Sequence, residues 1–154
     1  MKYILSIFFY LHFTYSFGQK KLELSDLFLK TSKEVVNTKE IGANKNIIVF
    51  SENKQNSIKF LIEEFTNTKS TKVYSDCLKR NINLGELAII IVDKIEPMPY
   101  LKLTAIKNAE EKSKQYCKSG NVIEFYLNQI SMEGSGIKDF QYFYKRLYFK
   151  TQDK

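Results

Sequence analysis

The chain has 154 residues, with 24 Lys+Arg against 17 Asp+Glu, a net charge of +7, two cysteines, one histidine and no tryptophan. That length fits one domain, and a composition of 44% apolar and 27% charged residues excludes disordered, collagen-like and multispan chains. The one histidine, His12, sits in a segment predicted to be removed, and a mature chain without histidine has no Ser–His–Asp triad, Cys–His dyad or histidine-rich zinc site.

The chain opens with Lys2, then an apolar run over residues 3–13, then small residues at Ser16 and Gly18. This is the layout of a secretory signal cleaved before Gln19, and the run is too short for a spanning helix, which needs about 20 apolar residues. No cysteine follows the apolar core, so no lipid anchor is expected and the product is periplasmic or extracellular. Removing residues 1–18 from the 154 leaves a single mature domain, 19–154, of 136 residues, and losing Lys2 takes the net charge from +7 to +6. A domain of that size buries roughly two-thirds of its unfolded surface, enough for an independent core.

In the mature part, Leu24, Leu27, Phe28, Thr31 and Val35 recur at helical spacing over 22–37, with Ser25 and Asp26 as the expected cap and first-turn acid. Ile47, Ile48, Val49 and Phe50 are short, apolar and β-branched, and read as either one short strand near 47–50 or a buried helical turn. Ile58, Leu61, Ile62 and Phe65 predict a helix over about 52–66. Residues 66–71 are polar and turn-like, and mark a subdivision near 66–72.

Asn83 followed by Glu86 is the layout of a capping box opening a helix over 84–95, apolar on nearly every side and therefore central. Pro97 and Pro99 end it. A weaker helix is expected over 104–118, stopped by Gly120. A second box, Asn121 with Glu124, opens a helix whose buried stripe is Ile123, Tyr126, Leu127 and Ile130. The two boxes lie 38 positions apart and the cysteines 40, a hint of two related helical hairpins. After the turn at Gly134, Ser135 and Gly136, a last helix over 137–149 places Ile137, Phe140, Tyr144, Leu147 and Tyr148 on its inner face. The expected fold is mainly α, a small helical bundle or stacked helical hairpins.

Cys77 and Cys117 are an even pair in an exported chain, which predicts a disulfide. A C-x-x-C redox motif is excluded by their spacing. Two cysteines cannot complete a four-ligand zinc site, and no EF-hand, P-loop or dinucleotide motif occurs, so neither metal nor cofactor is expected. The positive charge is 22 scattered lysines against two arginines, Arg80 and Arg146, which does not favour nucleic acid.

Two surfaces remain. The loop 97–100, with Met98 and Tyr100, and the C-terminal aromatics, with Tyr142, Arg146 and Phe149, have the composition of a protein-binding hot spot. Asp93 and Glu96, three apart at a helix end, form the minimal acid pair of a glycosidase. The leading expectation is a small exported, non-enzymatic binding protein of inhibitor or immunity type, acting on another protein. The alternatives are a carboxylate-dependent hydrolase of cell-wall or extracellular glycan using Asp93 and Glu96, and a structural or assembly component of the envelope.

Overall fold

In the computed structural model the described residues are 23–99, 109–117, 122–132 and 136–152. The expected signal segment 1–18, Tyr100, Gly120, Asn121 and the turn at Gly134 and Ser135 lie outside them.

Helix α1 (Leu24–Glu34) buries Leu27, Phe28 and Thr31 at spacings of one and three, the inner stripe of an amphipathic helix. Its start differs from the expected cap. Glu23 holds the N-cap position without a side-chain bond, and the Ser25 hydroxyl donates to the Glu23 carboxylate at 3.4 Å. Because the helix begins at Leu24, Ser25 already has helical backbone and cannot fold back onto the free N–H groups. Buried Thr31 is satisfied by donating to the Leu27 carbonyl at 2.9 Å.

A short 3-10 helix (Thr38–Ala43) follows, capped by Asn37, which accepts the Lys39 N–H at 3.0 Å. Asn44 then accepts the Asn46 N–H at 2.9 Å and opens α2 (Lys45–Glu52). The segment 47–50 is therefore helix, not strand. The cap commits the backbone, and burial follows the helical period: Ile47 and Phe50, three apart, are inside, while Ile48 is 62% exposed. A strand would have put Ile48 and Phe50 on one face.

Helix α3 (Lys54–Glu64) buries Ile58, Leu61 and Ile62. Strands β1 (Ser70–Ser75) and β2 (Arg80–Asn83) form an antiparallel hairpin with Tyr74 opposite Asn81 and Ser75 opposite Arg80. This hairpin overlaps the stretch expected to be a polar turn. Its inward positions are Thr71, Val73 and Ser75, two of them hydroxyls that the backbone satisfies. Thr71 donates to the Ile82 carbonyl at 2.6 Å, and Ser75 accepts the Leu78 N–H at 2.9 Å. The Tyr74 N–H donates to the Val36 carbonyl at 2.8 Å, so the hairpin's outer edge is held by the chain leaving α1.

Helix α4 (Leu84–Ile95) carries the expected capping box. The Asn83 side chain accepts the Glu86 N–H at 2.8 Å, and the Glu86 carboxylate accepts the Asn83 N–H at 2.9 Å. Residues 84–92 are all buried, which makes α4 the centre of the molecule. Helices α5 (Ala109–Tyr116), α6 (Val122–Met132) and α7 (Gly136–Gln152) complete the described chain. The strand β2 leads into α4, while α5 is the element before α6.

One cluster of buried apolar side chains runs from Leu27 in α1 through α4 to Tyr148 in α7. Ile123, Tyr126, Leu127 and Ile130 face it from α6. From α7, Phe140 and Tyr144 pack on Phe65 with ring centroids 6.0 and 5.7 Å away. Gln141 donates to the Ile62 carbonyl at 2.7 Å and Lys145 pairs with Glu63 at 2.7 Å, fixing α7 on the end of α3. The fold is mainly α, with one small antiparallel strand pair among the described residues.

Candidate functional site

Three places hold the residues that could act. The first is the outer face of α7, a 17-residue helix. Phe140, Tyr144 and Tyr148 recur every four residues and are buried, so the opposite face must meet solvent. There Tyr142 is 57% exposed, Phe143 48% and Phe149 39%. The Tyr142 and Phe143 rings meet edge to face at 5.6 Å, and the Arg146 guanidinium lies 5.7 Å from the Tyr142 centroid. From α3, the Lys59 ammonium lies 6.0 Å from the Phe149 ring. Aromatic rings with cations over them form a rigid, amphipathic surface that a partner can desolvate with little loss of rotamer freedom.

Tyr142, Arg146 and Phe149 are thus brought together, and Phe143 and Lys59 join them. Phe143, about 100° round the helix from Tyr142, joins them at the flank through its ring contact. Lys59 was not legible in the sequence, because only the packing of α3 on α7 places it there. Met98 does not belong to this surface. It is 5% exposed and part of the core, because its backbone N–H donates to the Asp93 carboxylate at 3.2 Å and turns the chain back onto α4.

The second place is the acid pair. Asp93 accepts that Met98 N–H, and Glu96 pairs with Lys54 of α3 at 2.8 Å. Each carboxylate therefore has a structural partner. Both press on Tyr144, whose hydroxyl is held well above the ordinary tyrosine range, first by burial and then by the charges of Glu96 and Asp93 and by Tyr148.

The third place is the cysteine pair. Cys77, in the β1–β2 turn, and Cys117, just after α5, form a disulfide with Cα atoms 5.1 Å apart. Both are buried, and beside them lies the carboxylate of Glu124, in the first turn of α6 and 1% exposed. The two sulfurs and a Glu124 oxygen all lie within 4.8 Å of one another. Thr38 donates to Glu124 at 2.5 Å. At the rim, Lys39 and Asp76 pair at 2.6 Å, and their hydrogen bond raises the Lys39 pKa and lowers that of Asp76. Sequence reasoning found the cysteines and named Glu124 only as a capping-box acid; its meeting with Thr38, 86 positions away, comes only from the packing of α6 on the 3-10 helix.

An open groove between α1, α2 and α3 is lined by Leu24, Leu27, Val49, Asn53, Asn56 and Phe60, with Glu23 and Ser25 at the start of α1. Among the described residues no helix is long and apolar enough to cross a membrane. No protein-family model matches the chain, and neither does any curated protein or any solved structure.

Proposed function

We propose that this is a small exported, non-enzymatic binding protein that acts by contact with another protein through the outer face of α7. The observation that carries the reading is the cluster of Tyr142, Phe143 and Phe149, all exposed, with Arg146 over one ring and Lys59 over another. Exposed aromatics on one rigid helix, with cations over the rings, are what interface hot spots are made of. The cations, and a net charge of +7 in the full chain, favour a partner with an acidic surface. Export rests on the composition of residues 1–18 and accords with the disulfide, which an oxidising compartment preserves.

The test is affinity capture from the source's extracytoplasmic fraction with wild-type protein and with the double variant Tyr142→Ala, Arg146→Ala as paired baits. The expected result is one protein retained by the wild type and lost, about a hundredfold in affinity, with the variant, as two hot-spot truncations of about 1–2 kcal/mol each imply. Equal retention by both baits refutes this surface. N-terminal sequencing of the exported product should begin at Gln19, and a product beginning at Met1 refutes the export reading.

A further inference from the structure

The cluster around the disulfide holds more than a covalent staple needs. Glu124 is a fully buried carboxylate placed against two sulfurs, and among the described residues its one hydrogen bond comes from Thr38. Burying a carboxylate is costly unless a cation or several donors compensate it. Its place in the first turn of α6 gives it part of that compensation through the helix dipole. Lys39, close enough for its charge to interact with Glu124, is already paired with Asp76 at 2.6 Å. A divalent cation among the three donor atoms would supply the rest.

We propose that, once the Cys77–Cys117 disulfide is reduced, the two thiolates and the Glu124 carboxylate form a buried three-donor site for a thiophilic divalent cation of the zinc class. The donors fit. With metal–sulfur distances of about 2.3 Å and metal–oxygen distances of about 2.0–2.1 Å, tetrahedral donors sit roughly 3.5–3.8 Å apart. The three atoms already lie within 4.8 Å of one another, and breaking the sulfur–sulfur bond frees the two sulfurs to move apart. Two thiolates select a thiophilic cation over calcium or magnesium, and a water completes the fourth position. Thr38, bonded to Glu124, is the outer partner that fixes the carboxylate's orientation.

The chemistry balances with a named reductant. A phosphine takes the oxygen of one water, its two electrons break the sulfur–sulfur bond, and the two protons of that water end on the sulfurs as thiols. The cation then displaces those two protons to solvent as it binds the thiolates. The disulfide and the metal are alternatives, so one pocket reports the redox state of its surroundings.

The experiment is titration of the purified protein with cobalt(II), oxidised and after phosphine reduction, read by thiolate-to-cobalt charge-transfer absorption and by circular dichroism. The reduced protein should take up one equivalent, displaced by zinc, and the oxidised protein none. Glu124→Gln, which keeps the shape and an oxygen for Thr38, should weaken cobalt binding by about tenfold or more. Cys117→Ser should abolish the charge-transfer band. Absence of the band in reduced protein, equal uptake by oxidised protein, or unchanged affinity in Glu124→Gln would each overturn the proposal. If reduction unfolds the chain, cobalt must restore the helical signal, and failure to do so overturns it equally.

Discussion

Replacing Gly85 by alanine sets helix propensity against packing, and the structure decides the sign. In an exposed helix the change stabilises by about 1 kcal/mol. Gly85, however, is the second residue of α4 and lies against the chain leaving α3, where its N–H donates to the Asn67 carbonyl at 2.8 Å. An alanine Cβ there would fall inside contact range of the Phe65 carbonyl oxygen, 2.8 Å from the Phe65 carbonyl carbon and 3.1 Å from the Asn67 oxygen. All three are backbone atoms and cannot rotate away. Relief requires α4 and the end of α3 to separate, but Phe65 packs on Phe140 and Tyr144, and Leu84 and Leu87 are buried. Overpacking of this kind costs about 1–3 kcal/mol or more, and the rigid backbone puts this site at the upper end, so the net loss should be about 2 kcal/mol. For a domain of this size that is a fall of roughly 6–10 °C in Tm. Thermal and urea unfolding followed by circular dichroism measure it directly. A Gly85→Ala protein as stable as wild type, or more stable, would refute the close approach of α4 to residues 65–67.

Arg80 forks onto Glu86 at 2.8 and 2.5 Å, and because the Arg80 side chain is 45% exposed the pair should be worth only about 1–2 kcal/mol. Glu86→Ala should cost about 1 kcal/mol more than Arg80→Ala, since it also breaks the capping box, and a double-mutant cycle with coupling below about 0.5 kcal/mol would refute the pairing. Tyr144, whose pKa is raised by burial and by Glu96, Tyr148 and Asp93, contributes no pH dependence while both states keep the proton. Above about pH 10 the unfolded chain releases that proton and the folded chain resists, so stability falls by about 1.4 kcal/mol per pH unit from this residue. Urea midpoints at about pH 9 and pH 11 should therefore drop further for wild type than for Tyr144→Phe, and equal drops would count against a desolvated hydroxyl.

The parts of this molecule that sequence periodicity revealed are those in which local chemistry and burial agree. Asn83 and Glu86 announce α4 because a capping box is complete within four residues, and Phe140, Tyr144 and Tyr148 announce the inner face of α7 because burial follows the helical period. The hairpin was hidden because two of its three inward residues in β1 are Thr71 and Ser75, polar by hydropathy and made buriable only by bonds to Ile82 and Leu78. At 47–50 four apolar residues in a row carry no period, and the decision lies with Asn44 outside the run. The candidate sites divide the same way: Tyr142, Arg146 and Phe149 share one helix and were visible together. Glu124, Thr38 and the cysteines come from four separate segments, and Met98 looked available only because the turn that buries it depends on Asp93.

The central helix has a consequence for the chain before it folds. Residues 87–92, Leu-Ala-Ile-Ile-Ile-Val, carry no charge and no proline and are rich in β-branched side chains, the composition of a segment that stacks into intermolecular sheets when exposed. In the folded protein each of these residues is buried inside α4. In a chain that is still unfolded, as one crossing a membrane would be, nothing covers them. Glu86 on one side and Asp93 and Lys94 on the other then serve as gatekeepers, charges that must be buried or brought into apposition before two such segments can pair. The Asn83 cap, by committing the segment to helix early, removes the extended conformation from which that association starts.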